Sequence, residues 1–436
     1  MAESVIRQLN ASIESVPVPQ VIGKVHSVSD TVLDAILPNA TVGAIARVGR
    51  RGIAQVARVS NTQCRLVPLI LPDSPNTSTP VTILERTPHA PVGYELLGRV
   101  VSPLGWPMDK GAPLMTPERW STHRNAPHPF DRPAISRQLC TGIKALDGLL
   151  SLGVGGRVGL FAGPGQGKST LLGMLAGGAD CDVCVICLAG ERGREAGEFV
   201  RETLGPSGLQ KSVIVLATSD ARPAERVLAM QSATAIAEWY RDQGNNVLLL
   251  VDSLTRVVRA RRDIDLALGD AVGPGGLAAT TLSFLPGLLE RAAPNAHGSI
   301  SAVYTVLSDT PGDELLSGEI TSLLDGHIWL SKKRADAGKW PAIDIVRSVS
   351  RVMKSVADDP QQRMAAQVRA VLAAYAENED LLLMGAYISG SCPLTDAYLR
   401  CRENIDAFLG QGTTPVAADQ TRDLLHSLVD ALQLRK

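Results

Sequence analysis

Aromatic side chains and an excess of charge of either sign are both scarce in this sequence. Phe, Trp and Tyr make up 4% of the 436 residues, and 43 Lys and Arg residues nearly balance 44 Asp and Glu residues, so the formal net charge is −1. Proteins that hold single-stranded nucleic acids use cationic grooves and aromatic stacking platforms. The strand-rich region 21–88 contains neither Trp nor Tyr. The composition therefore predicts no nucleic-acid partner.

Long apolar runs and cysteine frameworks are also missing. No run reaches the ~18 apolar residues of a membrane span, and residues 1–20 carry acidic side chains without the apolar core of a signal peptide. The seven cysteines follow no even spacing, which favours a reducing compartment. Cys181, Cys184 and Cys187 fall in one strand-like run whose side chains alternate between two faces, so we interpret them as buried thiols rather than metal ligands. We expect a cytoplasmic protein.

The sequence pattern divides the chain into three regions with different predicted secondary structure. Residues 21–88 are cut into short β-rich pieces by Gly, Pro, Asn and Asp, which is typical of a small barrel. Residues 89–355 alternate apolar strand-like runs with helical stretches, which predicts an α/β domain with a mainly parallel sheet and a Pro-rich connector at 113–137. Residues 356–436 are dominated by helix-forming sequence with apolar stripes. Residues 1–20 are compatible with a short helix, which we assign to oligomerisation.

The stretch AGPGQGKST, residues 162–170, lies where an apolar strand-like run meets a helical one. Three glycines precede its lysine: Gly163, Gly165 and Gly167. They allow turns in which successive N–H groups point at one anion, and the following helix directs its positive end to the same place. Lys168 adds a cation for phosphates, and the Ser169 hydroxyl can bind Mg²⁺. The pattern is that of a P-loop with Ala162 at the first glycine position, and it predicts phosphate binding rather than a simple Gly-rich turn.

Two carboxylates follow other apolar runs of the same region. Asp252 ends NVLLLVD and is placed to hold a water of a Mg²⁺ shell, and an N-cap for a helix at 253–263 is the alternative. Glu191 ends CVICLAGE at the sheet edge where ligands of α/β folds bind, and we take it as the candidate catalytic carboxylate. Spacing alone does not rank Glu191 above Glu195 or Glu198, and a charged surface loop is the alternative.

Seven blocks, taken with these motifs, resemble the F-type and V-type ATPase superfamily, and within it the type III secretion export ATPases of bacterial injectisomes and their flagellar relatives. The blocks are GERGRE (190–195), ATSD (217–220), YRDQG (240–244), LLLVDSLTR (248–256), LPGLLER (285–291), LLDGHI (323–328) and PAIDIVRSVS (341–350). Matches at 92–109, 141–150 and 375–387 extend the resemblance over nearly the whole chain. It implies a RecA-like P-loop ATPase core with an N-terminal β-barrel and a C-terminal helical domain.

The resemblance also implies roles for the matching residues, with ATP and Mg²⁺ as ligands. Lys168 and Ser169 match the ligands of phosphate and Mg²⁺. Glu191 matches the glutamate that polarises the attacking water, with Arg192 as its neighbour, and Asp252 matches the Walker-B carboxylate that holds Mg²⁺ through water. The nucleotide-binding loop comprises Gly163, Pro164, Gly165, Gln166, Gly167, Lys168, Ser169 and Thr170.

Two further matches lie late in the chain. Arg351 matches the arginine finger that reaches the γ-phosphate at a neighbouring subunit, and a surface salt bridge is the alternative. Trp340 falls where the family usually has a Tyr beside the adenine ring, and an indole stacks at least as well. The chain departs from the family pattern at 269–281, a loop expected to face the ring pore, and at 317–319, near an expected interface.

The function implied by the resemblance is that of a homohexamer, peripheral at the inner membrane, that hydrolyses ATP to drive chaperone release, unfolding and export of secreted effector proteins. The implied partners are stator and central stalk proteins, the export gate and chaperone–effector complexes. A flagellar export ATPase is the alternative because the motifs overlap. A Rho-like translocase fits less well because aromatics are few, and a non-catalytic ring subunit fits less well because Glu191 is present. An ATP synthase β subunit is disfavoured because the C-terminal region lacks a dense acidic run.

Overall fold

The structure, a computed structural model, describes residues 22–115, 118–308 and 314–433. The chain divides into two compact units, Met1–Pro88 and His89–Lys436. The helix expected at 1–20 lies outside the described residues. Within the described ranges, no helix combines the length and the apolar character needed to cross a membrane.

The first unit contains a closed antiparallel barrel. Its strands are β1 (Ile22–Val28), β2 (Leu33–Ile36), β3 (Ile45–Val48), β4 (Gly52–Ser60), β5 (Gln63–Ile70) and β6 (Pro80–Glu85). They neighbour one another in the order β1-β2-β5-β4-β3-β6. Alternate residues point inward, so that Ala54 and Val56 of β4 meet Leu66 of β5 in a small apolar interior. The predicted barrel is confirmed.

A mainly parallel sheet forms the centre of the second unit. The strands of this unit are β7 (His89–Val92), β8 (Val100–Val101), β9 (Glu118–Ser121), β10 (Gln138–Leu139), β11 (Leu152–Gly153), β12 (Arg157–Ala162), β13 (Val183–Glu191), β14 (Ser212–Thr218), β15 (Asn246–Asp252), β16 (Ser299–Leu307), β17 (Gly326–Leu330) and β18 (Ile343–Ser350). Eight of them pair in the order β18-β17-β12-β16-β15-β13-β14-β8, and only the β17–β18 pair is antiparallel. Every residue of β13 is buried, which explains its continuous apolar sequence.

Helices cover both faces of this sheet, as predicted for an α/β fold. They are α1 (Lys144–Leu149), α2 (Lys168–Gly178), α3 (Gly193–Glu198), α4 (Gly205–Gln210), α5 (Pro223–Asp242), α6 (Leu254–Ala267), α7 (Ala279–Leu289), α8 (Glu314–Leu323), α9 (Lys332–Asp336), α10 (Met353–Val356), α11 (Asp359–Leu383), α12 (Pro393–Leu409) and α13 (Ala418–Leu432). Helix α5 packs on β13, β14 and β15, whereas α1, α2 and the C-terminal helices α11, α12 and α13 share one apolar core with the other face. The predicted fold class is confirmed.

The direction of the strands decides which segments meet. The parallel strands β12, β13, β15 and β16 all end at one edge of the sheet, so the loops that follow them lie close together. Strand β18 runs the other way. Its first residue, Ile343, pairs with Leu330 near that edge, and its last residue, Ser350, pairs with Gly326 at the opposite edge. The segments before and after β18 therefore lie at opposite ends of the five-residue strand β17.

A buried ion pair fixes the connector to helix α5. Arg291 donates from Nε and Nη2 to the two carboxylate oxygens of Glu238, each at 2.8 Å, and from Nη1 to the carbonyl oxygen of Thr122 at 2.6 Å. The two charged side chains are only 4% and 1% exposed. Each charge is stable there because the other neutralises it.

Replacing one member of this pair tests how much the connector depends on it. Glu238→Ala leaves the Arg291 guanidinium buried without its anion, and we expect a loss of about 3–5 kcal/mol in the free energy of unfolding. Glu198→Ala is the matched control because its partner Arg194 lies 3.4 Å away with both side chains exposed, and we expect a cost below about 0.5 kcal/mol. Urea unfolding followed by circular dichroism measures both. Equal midpoints for the two variants would contradict the assignment.

Candidate active site

The glycine loop joins β12 to α2 with the geometry that a phosphate loop requires. Gly165 and Gly167 have φ angles of 72° and 82°, in the left-handed region that favours glycine. Gln166 is buried, and its Oε1 accepts the N–H of Gly163 at 2.9 Å, which closes the loop on itself. Ser169 is exposed on the first turn of α2. The loop therefore presents backbone N–H groups and a hydroxyl at the positive end of a helix.

One ammonium group joins the two candidate carboxylates. Lys168 Nζ donates to Asp252 Oδ1 at 2.6 Å and to Glu191 Oε1 at 3.0 Å. The side chains of Lys168, Glu191 and Asp252 are 14%, 9% and 5% exposed. Residues from three separate parts of the sequence thus meet at the edge where β12, β13 and β15 end.

The protonation states follow from this contact. Burial lowers the pKa of Lys168, but the charges of Asp252 and Glu191 outweigh it and raise that pKa above its usual value. Burial raises the pKa of Glu191, but the Arg256 hydrogen bond and the Lys168 charge outweigh burial and bring that pKa down to about 2. Burial raises the pKa of Asp252, against the opposing charge of Lys168. The structure therefore holds Glu191 ionised throughout the neutral range.

The alternative role of Asp252 as a helix cap is wrong. The cap of α6 is Ser253, whose Oγ accepts the N–H of Arg256 at 3.4 Å. Asp252 instead receives Lys168 and the hydroxyl of Thr305, which donates to Asp252 Oδ1 at 2.8 Å. The carboxylate is thus held in place by β16 as well as by the glycine loop.

The structure distinguishes the three glutamates that sequence spacing alone could not rank as the catalytic carboxylate. Only Glu191 reaches Lys168. Glu195 pairs with Arg192 at 3.0 Å, and Glu198 pairs with Arg194 at 3.4 Å, both on the surface. Arg192 is 79% exposed and is not brought to the Lys168 cluster, so its catalytic role stays a prediction.

Arg256 is a site residue that the sequence alone did not identify. It lies on the first turn of α6 and forms an ion pair with Glu191. Gly190 makes room for this contact because it has no side chain. Its φ angle is 81°, and a Cβ at that position would lie 2.9 Å from Cδ of Arg256. Together with Arg259, Arg261 and Arg262, Arg256 forms a basic cluster at helical spacing, a pattern that favours a solvated or interface face. Its partner Glu191 lies on another strand, so no local pattern indicates the contact.

Trp340 lies against the glycine loop. A Cβ placed on Gly167 would come within 2.5 Å of the indole Cζ3, so the ring rests directly on that glycine. The indole remains 39% exposed. The position follows from β18, which begins at the same sheet edge as the glycine loop. The structure therefore brings a partly open aromatic face next to Lys168 and its loop.

Arg351 lies at the other edge of the sheet. Val158, in the first half of β12, pairs with Gly326, and Gly326 pairs with Ser350. The N–H of Arg351 donates to the carbonyl of Asp325 at 2.9 Å, and its exposed guanidinium donates to the carbonyl of Thr321 at 3.3 Å. Arg351 is therefore not brought to Lys168 of the same chain.

The residues at this edge fit a triphosphate with a divalent cation. A Cβ on Gly165 would meet nothing within 4 Å, so the loop is open on that side. Across the described ranges, no three His, Cys, Asp or Glu side chains are grouped so as to hold a metal ion. A cation next to Ser169 and Asp252 would thus need phosphate and water oxygens as further ligands, which suits Mg²⁺.

Removing the shared ammonium tests the electrostatics of the cluster. Lys168→Ala leaves two buried carboxylates without this cation, and we expect a cost of about 3–5 kcal/mol in folding free energy at neutral pH. The pKa of Asp252, which burial already raises, then rises further above its unfolded value, so the folded state binds more protons and loses stability as pH increases. The difference in melting temperature from the parent should widen from pH 5 to pH 8. Lys332→Ala, at an exposed lysine, is the control, and a pH-independent difference would contradict the account.

Two family models match the second unit. The nucleotide-binding domain of the ATP synthase alpha/beta family matches residues 142–350, which include the glycine loop, both carboxylates and Trp340. The T3SS EscN ATPase C-terminal domain matches residues 357–427.

Full-length relatives match nearly the whole chain. The flagellum-specific ATP synthase of Treponema pallidum is 42% identical over 405 residues, covering 92% of this chain and 90% of that protein. The type 3 secretion system ATPase of Pseudomonas syringae pv. syringae is 41% identical over 425 residues, covering 95% of each. The assembled ATPase EscN of enteropathogenic E. coli, solved in complex with its central stalk EscO, superposes with a TM-score of 0.87 at 38% identity, covering 93% of this chain and 100% of that one. The chain therefore belongs to the ATP synthase alpha/beta family, among the type III secretion ATPases and their flagellar relatives, and is an ATP hydrolase.

Proposed function

We propose that this chain is the ATPase of a type III protein secretion system and that hydrolysis takes place around Lys168. The observation that carries the proposal is one ammonium held at 2.6 and 3.0 Å from two buried carboxylates, Asp252 and Glu191, beside a glycine loop. P-loop ATPases use a lysine, a metal-holding carboxylate and a group that orients water in this way.

Each residue has a task in binding or aligning the reactants. The N–H groups of loop 163–170 would cradle the phosphates, and Lys168 would bind the terminal ones. Ser169, and Asp252 through water, would hold Mg²⁺, which neutralises charge on the phosphates when bound. Glu191 would orient the attacking water.

Binding of ATP would also redistribute charge within the site. The triphosphate competes with Glu191 and Asp252 for the Lys168 ammonium. When Lys168 turns to phosphate, Glu191 keeps the Arg256 guanidinium as its partner and remains ionised. Glu191 would therefore already be deprotonated when ATP is bound and could act as a general base at once.

Trp340 would form the part of the site that holds the adenine base. Its exposed face next to Gly167 offers a stacking surface for adenine. The Trp340 indole has little favourable interaction with the phosphates, so it would add to the affinity for the nucleoside part of ATP.

Arg351 would act on the site of a neighbouring subunit. It lies across the sheet from the Lys168 cluster of its own chain and its guanidinium is exposed. A guanidinium supplied from outside neutralises charge that develops on the transferred phosphoryl group. EscN, which this chain resembles, has been solved in an assembled form, and we propose a homohexamer with shared sites at its subunit boundaries.

In the cell, the ring would drive chaperone release, unfolding and export of secreted proteins at the inner membrane. A central stalk protein, as seen with EscN, a stator, the export gate and chaperone–effector complexes are the proposed partners. Export of flagellar proteins is the second candidate because a flagellum-specific relative is 42% identical. Deleting the gene and scoring effector secretion and motility separates the two: loss of secretion alone supports the injectisome, and loss of motility supports the flagellum.

Two substitutions separate binding from chemistry. Lys168→Ala removes a charged partner of the phosphates, and we expect ATP affinity to fall about 10-fold to 100-fold. Glu191→Gln keeps the shape of the side chain, and we expect retained ATP binding with kcat lowered about 10²–10⁴-fold. Glu195→Gln is the control because this neighbour is exposed and pairs on the surface. Calorimetry and phosphate release measure the two quantities, and full turnover by Glu191→Gln would refute its role.

The trans role of Arg351 is tested by mixing two inactive variants. Arg351→Ala should bind ATP normally and lose about 10³–10⁵-fold in turnover. Lys168→Ala keeps the arginine but lacks the lysine of the phosphate loop. In a mixture, the intact loop of the first meets the intact arginine of the second, so activity should return. Absence of recovery, or equal loss of binding and turnover in Arg351→Ala, would place the arginine outside the neighbouring site.

A further inference from the structure

A short loop between two C-terminal helices holds the Trp340 turn in place. This loop, 410–417, joins α12 to α13, and the N–H of Gln411 donates to the carbonyl of Trp340 at 2.8 Å. The residue before the tryptophan is held as well, because Lys339 Nζ donates to Asp406 Oδ2, near the end of α12, at 2.7 Å. The consecutive residues Lys339 and Trp340 are therefore tied to α12 and to the loop that follows it.

The Gln411 side chain anchors this loop to the nucleotide-binding core. Its Oε1 accepts the N–H of Lys144, at the start of α1, at 2.9 Å. Its Nε2 donates to the carbonyls of Gly142 at 2.7 Å and Thr414 at 2.9 Å. Both N–H groups and the acceptor of the amide are thus used. A side chain bonded on three sides fixes the backbone N–H that reaches Trp340.

The same loop borders a cavity beside helix α2. This cavity, of about 690 Å³, runs along α2, where Thr170 and Met174 line one part and Thr413 and Pro415 line another. Pro415 also packs on Gly142, where a Cβ would lie 2.8 Å from the proline ring. The loop thus bounds open space next to the turn of α2 that follows Lys168.

We propose that Gln411 is a positioning residue for the nucleotide base, through which the C-terminal helices set the orientation of Trp340. The indole lies directly on Gly167, so a shift of its backbone carbonyl moves the ring relative to the glycine loop. A displacement of α12 and α13 would therefore change the affinity for the base without touching the phosphate ligands. This inference rests on the proposed contact between Trp340 and the base.

The test compares a nucleotide with a ligand that lacks the base. Gln411→Ala should weaken binding of Mg-ATP about tenfold and change binding of Mg-tripolyphosphate less than about twofold. KM for ATP should rise in parallel while kcat is retained. Trp340→Ala should show the same pattern, and adding Gln411→Ala to Trp340→Ala should cause no further loss, because the glutamine acts through the indole.

A matched glutamine controls for a structural effect on the domain contact. Gln361, on α11, also bridges to the core, donating to the carbonyl of Asp147 at 2.7 Å and to Ser151 Oγ at 3.0 Å. It makes no described bond to the Lys339–Trp340 turn. Gln361→Ala and Gln411→Ala should both lower the melting temperature, but Gln361→Ala should leave ATP affinity unchanged.

The possible results separate this inference from the proposed function. Normal ATP affinity in Gln411→Ala with weakened affinity in Trp340→Ala would overturn the positioning role alone. Normal affinity in Trp340→Ala would remove the base contact itself. Equal weakening of ATP and tripolyphosphate in Gln411→Ala, or an additive double variant, would show a general disturbance of the site and would also overturn the inference.

Discussion

The ammonium of Lys168, held between two buried carboxylates, is the contact on which the site depends. It neutralises Glu191 and Asp252 at the end of strands where neither carboxylate is well solvated. The same ammonium is the group that a triphosphate would attract. Under the proposed mechanism, the stability of the free protein and the affinity for ATP would therefore both depend on the Lys168 ammonium. Arg256, whose side chain is 27% exposed, would leave Glu191 with a cationic partner after this exchange.

Strand direction links this site to the proposed neighbouring subunit. Strand β18 begins beside the glycine loop, where Trp340 rests on Gly167, and ends at the opposite edge, where Arg351 follows it. One strand thus connects Trp340, the proposed contact for adenine, to Arg351, the guanidinium proposed for the next subunit. The C-terminal helices meet the beginning of that strand through Gln411. A displacement of these helices would therefore reach Trp340, the proposed contact for the nucleotide base, through the hydrogen bond from Gln411.

Much of this arrangement could be predicted from the sequence, and the rest fails for physical reasons. The meeting of Lys168, Glu191 and Asp252 follows from the rule that parallel strands end at one edge. Arg256 was missed because its spacing on α6 suits a solvated face, and its partner comes from another strand. Ser253 rather than Asp252 caps α6 because Lys168 and Thr305 occupy the carboxylate. The bonds of Gln411 to Lys144 and Gly142 join residues more than 260 positions apart, beyond any local pattern.

The central claim is that ATP takes Lys168 from its carboxylates while a neighbouring chain supplies Arg351. A cryo-electron microscopy map of the assembled chain with a nonhydrolysable ATP analogue and Mg²⁺ tests it most directly. The account predicts the ammonium of Lys168 on the terminal phosphates, Glu191 facing the attacking side, and the adjoining subunit's guanidinium within hydrogen-bonding distance of the γ-phosphate. A map in which Lys168 stays on Asp252, or in which that guanidinium lies far from the phosphates at every subunit boundary, would contradict it.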